Sequence, residues 1–235
     1  MSLEQTLREG FEALGLPLSG ETLTRYRIYA DFLAEKNAVM NLTAIEGEDE
    51  VARLHFLDCA ALLTELDLAG KSLIDVGTGA GFPGLALKIA CPELQLTLLD
   101  SLDKRIGFLR ECWEKLGFAD VRCVHARAEE APPDFRASFD VASSRAVARL
   151  RVLCELCLPL LREGGLFLAM KGPDCEEELA EAKPAIRLLG GRVERVFDYE
   201  IPGTGIRHAV VVIRKIAETP AKYPRPWAQI RKKPL

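Results

Sequence analysis

From Ser72 onward, seven short runs rich in β-branched and large apolar residues alternate with segments long enough for helices. They are Ser72–Gly77, Gln95–Asp100, Val121–Ala126, Phe139–Arg145, Gly165–Lys171, Val193–Tyr199 and His208–Lys215. Parallel strands need a crossover between them, usually a helix, so this alternation predicts βαβ units around a mostly parallel sheet covered by helices. The short "IPGTGIR" between the last two runs leaves no room for a crossover helix. The last strand is therefore expected to be antiparallel, hairpin-like, beside its neighbour. Residues 1 to about 68 have a different texture and read as helical. Glu21–Lys36 places Leu23, Tyr26, Tyr29, Ala30 and Leu33 at helical spacing behind Ser19 as N-cap, and Glu50–Leu66 is a second amphipathic stretch. The expected organisation is a helical N-terminal extension (1–68), an α/β core (69–217) and a basic C-terminal tail (218–235).

With 235 residues, 49% of them hydrophobic, the chain can bury one sizeable core. No apolar run approaches the roughly 20 residues of a membrane span. The opening "MSLEQTLREG" lacks the basic start and apolar stretch of a signal peptide, so a cytoplasmic location is expected. Seven scattered cysteines, an odd number, argue against a disulfide framework and fit a reducing compartment. Cys154 and Cys157 form a C-x-x-C inside "LCELCLPLL", which reads as an apolar helix face. No second pair or histidine cluster accompanies them at zinc-ligand spacing, and no metal is expected. A net charge of −4 speaks against a dedicated nucleic-acid coat while leaving room for local basic patches.

The first run leads into "DVGTGAGFPG" (75–84). Strand, glycine loop, helix is a general device for a nucleotide-like ligand, because glycines let the backbone turn sharply and approach the ligand. The loop alone suits a methyl donor, a dinucleotide or a structural turn. Asp75, just before the first glycine, suits a cationic amino-acid tail and would repel a pyrophosphate. "LTLLD" ends in Asp100, where an acid suits a ribose diol. Ala128 and Glu129 in "HARAEE" fall where an adenine edge should lie. No tyrosine has a lysine four residues on, so the catalytic pair of short-chain dehydrogenases is missing. The expected ligand is S-adenosylmethionine. Seven strands with the last reversed is the class I methyltransferase arrangement, a Rossmann-like α/β fold.

The acceptor atom leaves weaker traces. The position after the fourth run reads "SSRAVARL", without the Asn/Asp-Pro-Pro-aromatic motif that usually meets exocyclic amines. Cys91-Pro92 is the reverse of the Pro-Cys setting of a covalent pyrimidine C5 mechanism. A guanine N7 needs neither, since its in-plane lone pair is already nucleophilic and alignment carries most of the catalysis.

At this point the residues resemble a known family. "NLTAI" (41–45), "HFLD" (55–58), "DVGTGAGFPG" (75–84), "LLDSLDKRIGFL" (98–109), "SRA" (144–146), "MKG" (170–172), "RHAVVVI" (207–213) and "TPAKYPR" (219–225) are similar, in this order, to the glucose-inhibited division protein B family. These are bacterial guanine-N7 methyltransferases of small-subunit ribosomal RNA. The resemblance covers the chain from about residue 37 to its end. It implies the class I fold, S-adenosylmethionine as donor and a guanine near the decoding region as target, in ribosomal RNA or the assembled small subunit. Carried onto this sequence, it gives Gly77 and Phe82 as donor-loop positions and Ala128 and Glu129 as adenine contacts. Arg145 falls at the donor and substrate site, with Lys171 and Arg207 as basic positions flanking the RNA. The expected donor-binding set is Asp75, Gly77, Thr78, Gly79, Gly81, Phe82, Asp100, Ser101, Ala128, Glu129 and Arg145, and the expected catalytic set is Arg145, Lys171 and Arg207. The ending "YPRPWAQIRKKPL" departs from the family's usual tail.

Arg145 ends the fourth run, Arg149 and Arg151 follow it and Lys171 ends the fifth, at the strand edge where open α/β sheets bind ligands. Lys104 and Arg105 either approach the ligand or only open a helix. In the tail, Lys222, Arg225, Arg231, Lys232 and Lys233 interleave with Tyr223 and Trp227, whose rings either stack on bases or anchor the tail. His55 and Asp58 share a helix face and are expected to support the adjacent loop. His208 is expected to orient Arg207, and the acidic stretches 46–50 and 176–178 to lie away from any RNA-binding face. A monomer suffices. Two alternatives stand beside this reading: a class I methyltransferase for a small molecule or protein, and a non-catalytic RNA-binding module that senses the donor.

Overall fold

The computed structural model describes residues 1–145 and 148–235. Helices α1 (Leu3–Ala13) and α2 (Gly20–Met40) come first. Ser19 caps α2, its Oγ accepting from the Thr22 backbone N–H at 3.0 Å. A third helical run joins α3 (Glu48–Val51), a π turn (Ala52–Leu57) and α4 (Asp58–Ala60). The rest alternates: β1 (Ser72–Val76), α5 (Gly84–Ala90), β2 (Gln95–Asp100), α6 (Asp103–Lys115), β3 (Val121–His125), β4 (Phe139–Arg145), α7 (Leu150–Cys157), β5 (Leu161–Lys171), α8 (Glu176–Leu188), β6 (Gly191–Glu200), β7 (Arg207–Lys215) and α9 (Trp227–Lys232).

The strands form one sheet in the order β3-β2-β1-β4-β5-β7-β6. β7 runs antiparallel between β5 and β6 and forms a hairpin with β6, as the short connection predicts. The other pairings are parallel. β5 begins at Leu161, four residues before the expected start. Its register against β4 slips between Phe139 and Val141, so the polar residues after Leu161 occupy an irregularity instead of ending the strand.

Strand alternation divides the interior in two. Leu73, Leu96, Leu98, Val141, Leu168 and Val210 face a core shared with α1, α2, the π turn, α5 and α6. Ile74, Leu99, Ala142, Phe167, Ala169 and Val211 face a core shared with α7, α8 and α9. Cys154 and Cys157 are buried in this second core, among apolar neighbours. The N-terminal helices thus form part of one layer over the sheet. Tyr26 donates to the Ala86 carbonyl at 2.9 Å, and Tyr29 donates to the Ala80 carbonyl. From β1 the chain builds outward through β2 to β3, then returns to β4 on the other side of β1. That reversal opens a crevice at the carboxyl ends of β1 and β4, where α/β sheets bind ligands.

Candidate functional site

The crevice holds a cleft of about 400 Å³, within the ordinary range for small-molecule sites. Of the expected donor-site residues, Gly77, Thr78, Gly79, Phe82, Asp100, Ser101 and Arg145 line it. Leu42, Thr43, His55, Ala80 and Arg105 also line it.

The loop after β1 is held from beneath. Asp75 is fully buried and does not reach the cleft; its Oδ2 accepts from the Gly84 N–H at 3.0 Å and its Oδ1 from Ser143 Oγ at 2.9 Å. One carboxylate therefore ties the start of α5 and strand β4 to β1. Burial pushes this carboxyl up, against those bonds. Gly77 and Thr78 both donate their backbone N–H to the Leu99 carbonyl, at 2.8 and 3.2 Å. Gly81 does not line the cleft. Its φ is +103°, and an added Cβ would strike the Tyr29 hydroxyl, so only glycine fits there. Asp100 ends β2 almost buried, accepting from the Gly79 and Leu102 N–H groups at 2.9 Å each. Arg105 Nη1 stands 3.4 Å from Asp100 Oδ2. Lys104 turns away to the Met40 carbonyl at 3.4 Å.

Phe82 is the hinge between loop and helical layer. Its ring stacks on His55 at 4.1 Å and on Tyr29 at 5.3 Å, with the Arg145 guanidinium over it at 5.0 Å. Arg145 in turn donates to Asp58 Oδ2 at 2.9 Å, to His55 Nδ1 at 3.0 Å and to the Leu54 carbonyl at 3.3 Å. The π turn delivers His55 and the Leu54 carbonyl from one side and Asp58 from the next turn, an arrangement often found where a helix serves a site. Asp58 also accepts from Tyr199 Oη and His208 Nδ1, both at 2.7 Å. Burial pushes the Asp58 carboxyl up, but His208, Arg145 and Tyr199 outweigh it and hold it below the ordinary range. His55 is driven down to about 3 by burial and then by the Arg145 charge, so it is neutral. A guanidinium only donates, so Nδ1 accepts, and the proton sits on Nε2, 2.9 Å from Thr43 Oγ1.

Other expected residues lie apart from the cleft. Ala128 and Glu129 form a 3₁₀ turn after β3. Glu129 Oε1 is buried, 3.6 Å from Arg127 Nη1 and hydrogen-bonded to none of the described residues. Such an orphaned acceptor fits a ligand that brings its own donor, such as an adenine amino group or a ribose hydroxyl. Lys171 is turned to the opposite face, donating to the Ala148 carbonyl at 2.9 Å and Glu178 Oε1 at 2.8 Å. Arg207 is exposed at the hairpin rim, 3.9 Å from Asp198. His208 does not orient it: successive strand residues face opposite sides, and His208 belongs to Asp58. The acidic run 176–178 is not remote either, because α8 starts at the same sheet edge and places Glu178 on Lys171. In the 46–50 run, Glu48 pairs with Arg27 and Asp49 with Arg53, inside the helical layer. Arg149 is exposed, 3.3 Å from Glu181. Ala146, the last residue of "SRA", lies outside the described residues. The roles of Thr43, Tyr199 and His208 were not legible beforehand, although period-2 alternation in "RHAVVVI" separates Arg207 from His208.

The fold and crevice define a class I methyltransferase architecture. It is similar to precorrin-6y C5,15-methyltransferase from Geobacter metallireducens, with a TM-score of 0.52 and 17% identity over 74% of this chain and 92% of that one. Residues 22–208 match the GidB family, described as rRNA small subunit methyltransferase G, and the chain belongs to that family. It is 44% identical to ribosomal RNA small subunit methyltransferase G of Acetivibrio thermocellus, over 100% of this chain and 98% of the relative. It is 46% identical to the protein of the same name from Pelotomaculum thermopropionicum, over 99% of each. No helix among the described residues is long and apolar enough to cross a membrane.

Proposed function

We propose that this protein transfers a methyl group from S-adenosylmethionine to N7 of a guanine in small-subunit (16S) ribosomal RNA near the decoding region. It acts in the cytoplasm, as a monomer, on the RNA or the assembled small subunit. The observation that carries the reading is the joining of the glycine loop to Arg145 at one sheet edge, in a chain of the GidB family.

The donor, when bound, supplies an electrophilic methyl on a cationic sulfur. Gly77, Thr78, Gly79, Phe82, Asp100 and Ser101 hold it in the cleft, and Ala128 and Glu129 hold its adenine. Asp75 and Gly81 shape the loop from behind. Asp100 has acceptor capacity left for hydroxyls, since each oxygen takes one backbone N–H at short range. Guanine N7 loses no proton on attack, so the protein's work is alignment. Arg145 stands where base and donor meet. Its charge is offset by the adjacent Asp58 carboxylate, which lessens its repulsion of the positive charge that grows on the purine. Lys171 supports the chain after β4 through Ala148, and Arg207 meets an RNA phosphate at the rim.

Labelled donor, offered to small subunits and to stripped RNA from cells lacking this protein, tests the reading. Strand scission at N7-methylguanine should give a single site. Label on a small molecule or protein instead would favour the other enzyme class, and donor binding without transfer would leave only an RNA-binding module. Arg145→Gln should lose most turnover and lower stability by about 3 kcal/mol in a urea titration, because it strands a buried Asp58. Full turnover in that variant would remove Arg145 from the scheme.

A further inference from the structure

The site does not end at Arg145. On its other side lies a second cavity of about 170 Å³, lined by Arg145, Met170, Lys171, Gly172 and His208. Arg145 is thus a wall shared by this cavity and the donor cleft. A space of that size is on the scale of a single base rather than a whole nucleotide. It opens at the end of β5 beside the start of β7, where Lys171 pairs with Ala209.

Building on the function proposed above, we infer that this cavity receives the acceptor guanine, and that His208 Nε2 donates a hydrogen bond to its O6. Guanine presents N7 and O6 side by side as acceptors, whereas adenine presents N7 beside an amino donor. A fixed donor facing that edge accepts guanine and leaves adenine with two opposed N–H groups, a strong form of discrimination. His208 has the required geometry. Its Nδ1 is fixed on the buried Asp58 carboxylate at 2.7 Å, its side chain is one-third exposed, and its Nε2 bonds to none of the described residues.

Because Nδ1–H already goes to Asp58, donation from Nε2 requires the imidazolium. The groups facing His208 are Asp58 from α4, Arg145 from β4 and the edge-on Tyr199 ring at 6.1 Å from β6, while the Lys171 ammonium is turned away to Glu178. The Asp58 bond favours the proton, while burial and Arg145 oppose it. The balance raises His208 above its ordinary value. The Nε2 donor is therefore present below that raised pKa and lost as pH rises through it.

The test measures kcat/KM for small subunits against pH, with S-adenosylhomocysteine affinity measured in parallel. The wild type should lose efficiency on the alkaline side of the His208 pKa. His208→Gln places a non-titrating amide N–H near the Nε2 position; it should keep turnover and lose that limb. His208→Ala should raise KM for subunits about tenfold, the cost of one unmade hydrogen bond, with S-adenosylhomocysteine affinity unchanged. A His208→Ala protein with wild-type KM, or a His208→Gln protein that keeps the alkaline limb, overturns the inference while leaving the methyltransferase reading intact. If His208→Ala does not fold, the His208→Gln profile decides. A wild type that methylates no ribosomal guanine overturns the underlying reading before any variant is made.

Discussion

His55 shows how a single residue is set by its surroundings. It is buried, stacked on Phe82 and bonded to Arg145, and it takes up no second proton, and so no charge, until about pH 3. In the unfolded chain the same imidazole takes a proton near 6.5. Between those values the unfolded state binds more protons, so stability rises with pH. The penalty at pH 5 relative to pH 7 should be about 2 kcal/mol. Urea titrations at both pH values should show this difference, and His55→Gln should remove it while keeping an acceptor for Arg145. An unchanged pH slope in the variant would mean that His55 is hydrated or charged in the folded protein.

At the scale of elements, the decisive junction is β1, its loop and α5. α5 is only seven residues long and has no side-chain cap; its first N–H is taken instead by Asp75 from the strand beneath. Gly84 makes that approach possible, since a Cβ there would lie 2.9 Å from both Asp75 Cβ and Leu98 Cδ2. Gly84→Ala should therefore push α5 off the strand. We expect a stability loss of about 1–3 kcal/mol and weaker S-adenosylhomocysteine binding by calorimetry. Wild-type affinity and stability in that variant would show that the junction yields freely. The acid expected to meet a ligand tail instead holds the loop's shape. Sequence spacing brought Asp75 to the right strand end but says nothing about the direction of its side chain.

At the scale of the whole molecule, the tail is part of the domain. Glu155 is fully buried in α7, and Arg225 satisfies it with its backbone N–H at 2.9 Å, Nε at 2.8 Å and Nη2 at 2.6 Å. Arg136 grips the tail through the Thr219 and Tyr223 carbonyls, and Tyr223 is itself buried. Of the two readings of the tail's rings, anchoring holds for Tyr223. Arg225→Ala should cost about 3–5 kcal/mol, because it leaves a buried carboxylate unpaired. At least that loss should follow truncation after residue 218, which also removes the buried Tyr223 and Ile230. A thermal or urea transition unmoved by either change would show that the tail is dispensable.

The sequence by itself determined the strand succession, the reversed last strand, the capped second helix, the glycine loop and the family. Each of these rests on local periodicity, turn chemistry or contiguous motifs. Tertiary structure decided which of the chosen side chains face the cleft. It buried Asp75, sent Lys171 to Glu178, left Arg207 on the rim and drew Asp58, Tyr199 and His208 around Arg145 from separate elements. Such a buried polar cluster is assembled by packing between residues up to 150 positions apart, and no local pattern encodes it.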